Sequence, residues 1–347
     1  MLAPRPAVVA MAPYSPPSAG RAGKLRLDFN ENTVGASPRV VEALRSALST
    51  EGLTVYPEYV DAKPELARFF GVRPAEFVMS NGTDEAIQVL VNTYVDDGQE
   101  VLILHPSYAM YKFYSELAGA NVRELSYRDD LSFPLEELTG AIRPGTRAVL
   151  ISNPNNPTGT GIGLAEVRTI LEAAPGAAVL IDEAYFEFSG VTALGLLDRY
   201  PNLFVSRTFS KTYGMAAMRI GCLFSQAANV AFLRKSQSPY SVNWLAAVAA
   251  RAAVADTAYV RDYVAEVLLA RDDIYRGFER LGLPYYRSQA NFVLFRAGDR
   301  SIEIRDKLRD RGVLVRDRSY EIAGCVRVTV GTREQAATFL RELEAIL

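Results

Sequence analysis

The sequence predicts an α/β protein: a large domain with a mostly parallel sheet flanked by helices, followed by a small α+β domain. Three observations carry this expectation. Between residues 77 and 224, short runs apolar on both faces alternate with stretches of helical periodicity. That is how a parallel sheet covered on both sides reads. Toward the end of the chain the pattern changes to short strands mixed with two helices. The 347 residues, 49% of them apolar, are enough to bury roughly three quarters of the unfolded surface and to form two domains.

The lead-in MLAPRPAVVAMAPYSPPSAGRAG is rich in alanine and proline. Its apolar stretch is short and proline-broken, so it reads as an arm rather than a signal peptide. VVEALRSAL, over 40–48, reads as an amphipathic helix with Ser37 as its cap and Pro38 inside the first turn. TVYPEY then leads to a second helical stretch, KPELARFFG. FVMS, VLILH, NVREL, RAVLIS, AAVLID, LFVSRT and RIGCLF read as strands. DEAIQVLVNTYV, YAMYKFYSELAG and LAEVRTILEAA read as helices between them. Residues 243–270 form a long alanine-rich helical run. NFVLF, IEIRDKLRDRG, VLVRD, CVRVTVG and EQAATFLRELEAIL make up the small domain. The expected division is an N-terminal arm and start of the small domain over 1–38, a large domain over 39–265 and the small C-terminal domain over 266–347. Cys222 reads as core packing and Cys325 as the head of an edge-like strand.

Thirty-eight basic residues balance forty acidic ones, for a formal net charge of −2. This argues against a nucleic-acid partner, which needs a basic face. Two cysteines supply neither a disulfide framework nor a zinc cluster, and they fit a reducing, cytoplasmic compartment. His105 is the sole histidine, so no metal site is expected. No apolar run is long enough to read as a membrane span.

Four segments carry chemistry, all at strand ends or turns. SNGTDEAI (80–87) follows a strand and opens a helix. Gly82 and Thr83 there offer backbone N–H groups and a hydroxyl to an anion. The plain alternative is a helix cap, and Asp84 and Glu85 count against a phosphate unless they face away. SNPNNPTGTG (152–161) is a rigid polar loop in which asparagine offers both donor and acceptor. The alternative is an elaborate connection. In VLIDEAYFEF (179–188), Asp182 ends a strand and suits a cation such as a protonated ring nitrogen, with Tyr185 three residues on; a helix cap is the alternative. TFSKTYGMAAMR (208–219) holds Lys211, one of only six lysines, amid Thr208, Ser210 and Arg219. Lysine forms imines with carbonyls, and arginine is the natural partner of a phosphate. A solvated surface charge is the alternative for Lys211 alone. Together the segments hold a phosphate cradle, an acid for a pyridinium nitrogen, a phenol, an amide and an amine. A pyridoxal phosphate enzyme needs that set.

NPNNPTG, DEAY and SRTFSKTYGMAAMRIG resemble the fold-type I, class I/II pyridoxal phosphate aminotransferases. LDFNENTVGASP, TVYPEY, SNGTDEAI, HPSYAMY, SPYSVNWLA and VRVTVGT are similar to the histidinol-phosphate aminotransferase branch. The resemblance runs from about residue 27 to 347 and implies pyridoxal 5'-phosphate as cofactor. It implies that Lys211 holds the cofactor covalently and shuttles protons, and that Asp182 pairs with the ring nitrogen. Tyr185 and Asn156 would bond the phenolic oxygen, and Tyr108 would stack on the ring. Gly82, Thr83, Thr208, Ser210 and Arg219 would cradle the phosphate. Tyr56 would reach the phosphate of a neighbouring subunit's cofactor, which implies a homodimer. On the substrate side it implies Asn30, Tyr56, Asn156 and Arg327, the last for a carboxylate or phosphate.

The implied reaction moves an amino group from L-histidinol phosphate to 2-oxoglutarate. An aminotransferase for aromatic or other amino acids, and a threonine-phosphate decarboxylase-like enzyme, remain open as alternatives. A catalytically dead binding protein is disfavoured, because the key lysine, aspartate, asparagine, tyrosine and arginine are all present. Two positions depart from the family pattern near the expected cofactor or substrate walls: Thr33 replaces the usual proline, and Ala217 a glycine. His105 adjoins the ring-stacking position without occupying it and reads as structural.

Overall fold

Each central strand carries apolar side chains on both faces, and the fold buries both. The computed structural model describes residues 2–13 and 19–347; residues 1 and 14–18 of the lead-in lie outside the described residues. Strand β1 (Leu25–Arg26) precedes a seven-stranded sheet. Its members are β2 (Phe77–Ser80), β3 (Glu100–His105), β4 (Asn121–Ser126), β5 (Thr146–Ser152), β6 (Ala178–Asp182), β7 (Leu203–Thr208) and β8 (Gly221–Phe224). Their spatial order is β2-β8-β7-β6-β5-β3-β4. All neighbouring pairs from β4 to β7 are parallel, while β8 runs antiparallel to β2 and β7. Val101, Ile103, Leu150 and Leu180 enter one apolar cluster; Leu102, Leu104, Ile151 and Ile181 enter another. This is the period-2 alternation of strands buried on both sides.

From β3 the chain moves outward to β4. After β5 it moves the opposite way, through β6 and β7. The reversal between β3 and β5 is a switch point, where open α/β sheets form a crevice beyond their carboxyl ends.

The rest of the chain builds a second layer from β9 (Tyr285–Tyr286), β10 (Phe292–Arg296), β11 (Val313–Leu314), β12 (Arg316–Asp317) and β13 (Cys325–Thr329). Four of these form an antiparallel sheet in the order β12-β13-β10-β9. Helices Thr257–Leu281, Ser301–Asp310 and Arg333–Glu344 contribute to its separate core, with Phe278, Phe292, Phe295 and Phe339 at the centre. β1 pairs in parallel with β11, and Thr329 N–H donates to Leu27 O at 2.9 Å. The N-terminal segment is therefore stitched to the end of the chain.

Two sequence expectations need correction. The helical run over 243–270 is two helices, Trp244–Ala255 and Thr257–Leu281, broken at Asp256 (φ −107°, ψ 60°). Asp256 leaves the helical conformation, and its carboxylate accepts the Ser37 hydroxyl; short acidic side chains readily give up helix geometry for such bonds. β13, headed by Cys325, is not an edge: it lies between β12 and β10. The arm contains a short helix, Pro6–Ala10. Among the described residues, no helix is long and apolar enough to cross a membrane.

Candidate active site

The loops after β3, β5, β6 and β7 meet at the switch point. With the first turn of helix Gly82–Tyr94 and three arginines of the small domain, they line a cavity of about 500 Å³.

At the sheet end, Thr83, Thr208, Ser210 and Arg219 face the cavity. Gly82 lies beneath the Arg219 guanidinium with φ +73°, and a Cβ there would come within 2.4 Å of Arg219 Nη2. Arg219 itself has φ +53°. A non-glycine residue in this left-handed region costs about 1–3 kcal/mol and marks functional sites. The strained backbone lets the guanidinium lie across the glycine, where it donates to Ala216 O at 3.1 Å and Asp84 Oδ2 at 3.0 Å. The two acids of the turn divide. Glu85 turns away and accepts from Ser241 Oγ at 2.9 Å. Asp84 faces the cavity, against the expectation for a phosphate turn, because Arg219 and the Tyr108 hydroxyl at 2.6 Å both hold it there.

On the floor, Asp182 is buried at the end of β6 and accepts from Tyr111 Oη and Ser206 Oγ, each at 2.8 Å. Burial pushes its carboxyl above the usual 3.8, and the two hydroxyls oppose that shift. Lys211 Nζ donates to Phe29 O at 2.9 Å. Burial, aided by the positive charge of Arg327, pulls its amine from 10.5 down to about 8. The Tyr185 hydroxyl accepts from Asn30 Nδ2 at 3.0 Å, and Asn30 Oδ1 accepts from Thr329 Oγ1 at 3.1 Å.

The loop after β5 uses its three asparagines differently. Asn153 braces Ile162 through both its amide groups, at 3.0 and 2.9 Å. Asn155 donates to Pro106 O at 3.0 Å and accepts from Ser107 Oγ at 2.7 Å. Asn156 faces the cavity and accepts from Arg327. Arg327, on β13, also donates to Asp28 O at 2.6 Å, while its buried Nε has no partner among the described residues. Burial and neighbouring Arg318 pull its guanidinium down to about 10.

Thr83, Tyr108, Asn156, Asp182, Tyr185, Thr208, Ser210, Lys211, Arg219, Asn30 and Arg327 thus share one cavity. Tyr56 does not line it: its ring is 73% exposed and sits 4.5 Å from that of Tyr240. Ala217, expected near a wall, is exposed. His105 lies outside the lining, with Nδ1 3.3 Å from Glu124 Oε2. Sequence reasoning missed Tyr111 and Ser206, which orient Asp182, and the cavity residues Arg316, Arg318 and Glu321. The spacing of Tyr111, three beyond Tyr108 at a helix start, was a usable signal. So was the i, i+2 spacing of Arg316 and Arg318, which puts both on one side of an extended segment.

Residues 22–343 match the family model for aminotransferase class I and II. The chain is 37% identical to the histidinol-phosphate aminotransferase of Symbiobacterium thermophilum, over 99% of this chain and 98% of that protein. It is 35% identical to the same-named protein of Acetobacter pasteurianus, over 99% and 97%. Among solved structures, the histidinol-phosphate aminotransferase of Sinorhizobium meliloti in complex with pyridoxal-5'-phosphate superposes with a TM-score of 0.88. That match has 26% identity and covers 99% of this chain and 98% of that one.

Proposed function

The chain belongs to the class I and II aminotransferases, and from that premise we propose that it moves an amino group from L-histidinol phosphate to 2-oxoglutarate with pyridoxal phosphate as cofactor. The observation that carries the donor is the far end of the cavity, where Arg316, Arg318 and Arg327 stand together. Among the described residues, the Nε atoms of Arg318 and Arg327 are buried there without partners. Unpaired buried donors are costly, so such an end favours a strongly anionic group. The names of the curated relatives support the same donor.

The residues fit the cofactor. The cradle of Thr83, Thr208, Ser210 and Arg219 over Gly82 suits its phosphate, which would share Arg219 with Asp84. Asp182, oriented by two hydroxyls, suits the ring nitrogen, and Asn156 and Tyr185 its phenolic oxygen; Tyr108 would stack on the ring. When bound, the cofactor supplies an electron sink for the charge left on the substrate's α-carbon. Lys211, an amine held near 8 by burial, is the base that takes the α-proton and returns it during transfer. Arg327 orients the anionic end of donor and acceptor in turn.

The same reading makes the enzyme a homodimer. Tyr56 stands exposed with Leu53, Val55, Val60 and Tyr240, an apolar patch suited to a second copy. Tyr56 would there meet the cofactor phosphate of the other protomer. Two free cysteines support a cytoplasmic setting. The separate core around Phe278 and Phe339 supports a small C-terminal domain that begins within helix Thr257–Leu281. A donor panel with 2-oxoglutarate tests the function: histidinol phosphate should have the highest kcat/KM, far above histidinol. Equal or better turnover of phenylalanine or tyrosine would overturn the donor. Release of CO₂ from threonine phosphate would place the chain with the decarboxylases. Light scattering of the holoenzyme tests the dimer.

A further inference from the structure

The turn between β12 and β13 carries an ion pair inside the cavity. Arg318 pairs through Nη2 with Glu321, three residues on, and donates through Nη1 to Tyr320 Oη at 2.9 Å. The turn is closed by Glu321 N and Ile322 N, which donate to Arg318 O at 3.0 and 2.9 Å. Arg318 is 8% exposed, and its Nε has no partner among the described residues. Both side chains line the same cavity as Lys211. The carboxylate of Glu321 thus sits where an incoming anion would meet Arg318.

We propose that Glu321 is a specificity-determining residue that occupies Arg318 until the dianionic group of a phosphorylated substrate displaces it. The inference rests on the donor reading above and deepens it. A guanidinium bonds a dianion more strongly than a single carboxylate. A substrate with one negative charge at this end must compete with Glu321 on even terms, whereas a phosphate wins. Arg327, held by Asn156 and Asp28, stays in place for both partners; Arg318 is the member that changes partner. Once displaced, Glu321 remains beside Arg316 and Arg327. Burial already pushes its carboxyl up, opposed by Arg318, His105, Arg327 and Arg316.

The test titrates inorganic phosphate into the holoenzyme by calorimetry, with the cofactor's own phosphate site filled. Glu321→Gln should bind phosphate about tenfold more tightly, the scale of one ion pair no longer contested. Glu321→Asp should stay close to the parent. The KM for L-histidinol phosphate should fall in Glu321→Gln, with a smaller change in kcat. Arg318→Gln should weaken phosphate binding, and adding Glu321→Gln to it should then have no effect. Unchanged or weaker phosphate binding in Glu321→Gln overturns the inference, as does an equal gain in the Arg318→Gln background. If histidinol phosphate is no substrate, the donor reading fails while the phosphate titration still decides this one.

Discussion

At the sheet end of the cavity a single arginine, Arg219, works with the hydroxyls of Thr208 and Ser210 and the first turn of helix Gly82–Tyr94. At the opposite end Arg316, Arg318 and Arg327 line the cavity from the small domain, Arg327 bonded to Asn156 and Arg318 paired with Glu321. The sheet end is built on a parallel core, with strained Arg219 clamped over Gly82 and pinned by Asp84. The far end hangs on the two-residue strand β12 and a short turn, and two of its guanidiniums keep an Nε without a partner among the described residues. Each end holds a carboxylate on an arginine, Asp84 on Arg219 and Glu321 on Arg318; a helix terminus plus one clamped arginine suits an anion that stays, and a cluster of arginines on a short turn suits anions that come and go. On the proposed function these are the cofactor phosphate and the substrates' acidic groups.

The comparison breaks most completely at the residue between the two ends. Lys211→Ala should lose activity by about a thousandfold or more, as expected for removal of a general base. The absorbance band of the lysine-bound cofactor should vanish with it. Steady-state rates and a spectrum of the purified variant check this.

Lys211 also leaves a mark on stability. The unfolded lysine titrates near 10.5 and the folded one near 8. Between those values the unfolded chain holds a proton that the folded chain lacks, so stability rises with pH across this window. The full rise is about 3 kcal/mol, and it is lost as pH falls toward 8. Urea titrations of the cofactor-free protein should show the rise, and Lys211→Met should flatten it. Lys63, also pulled to about 8 by burial, contributes alike to both proteins.

The two ends separate by mutation. Arg219→Gln should weaken cofactor affinity by about 2 kcal/mol, roughly thirtyfold, with substrate KM little changed at saturating cofactor. Arg327→Gln should do the reverse, lowering kcat/KM for donor and acceptor by a similar factor while cofactor affinity holds. Cofactor titration by fluorescence and substrate kinetics on both variants decide it. Equal losses in both assays for both variants would erase the distinction between the ends.

The smallest contrast lies inside one loop. Asn155→Ala should lower stability by about 1–2 kcal/mol, since buried Ser107 Oγ and Pro106 O lose their partner. Asn156→Ala, one residue on, should affect kinetics more than stability, because its amide faces the cavity. Thermal melts beside rate measurements separate the two.

The sequence by itself determined where the central strands lie, because a short unbroken apolar run is a local property that a sheet buried on both faces requires. It also determined which residues stand just past β5, β6 and β7. Asn156, Asp182 and Lys211 each lie within a few positions of a strand end, and neighbouring parallel strands bring those ends together. The tertiary structure decided which asparagine faces the cavity, since Asn153, Asn155 and Asn156 are chemically alike and only their backbone positions differ. It decided that Asp84 turns inward and Glu85 outward, a choice set by Arg219 from 135 residues away. It decided that Asp256 breaks a helical run, through a hydroxyl at Ser37. And it brought Arg316, Arg318 and Glu321 to Lys211. Propensity acts within a turn or a strand, but the partner of a charged side chain is chosen by whatever distant segment the packed core delivers beside it.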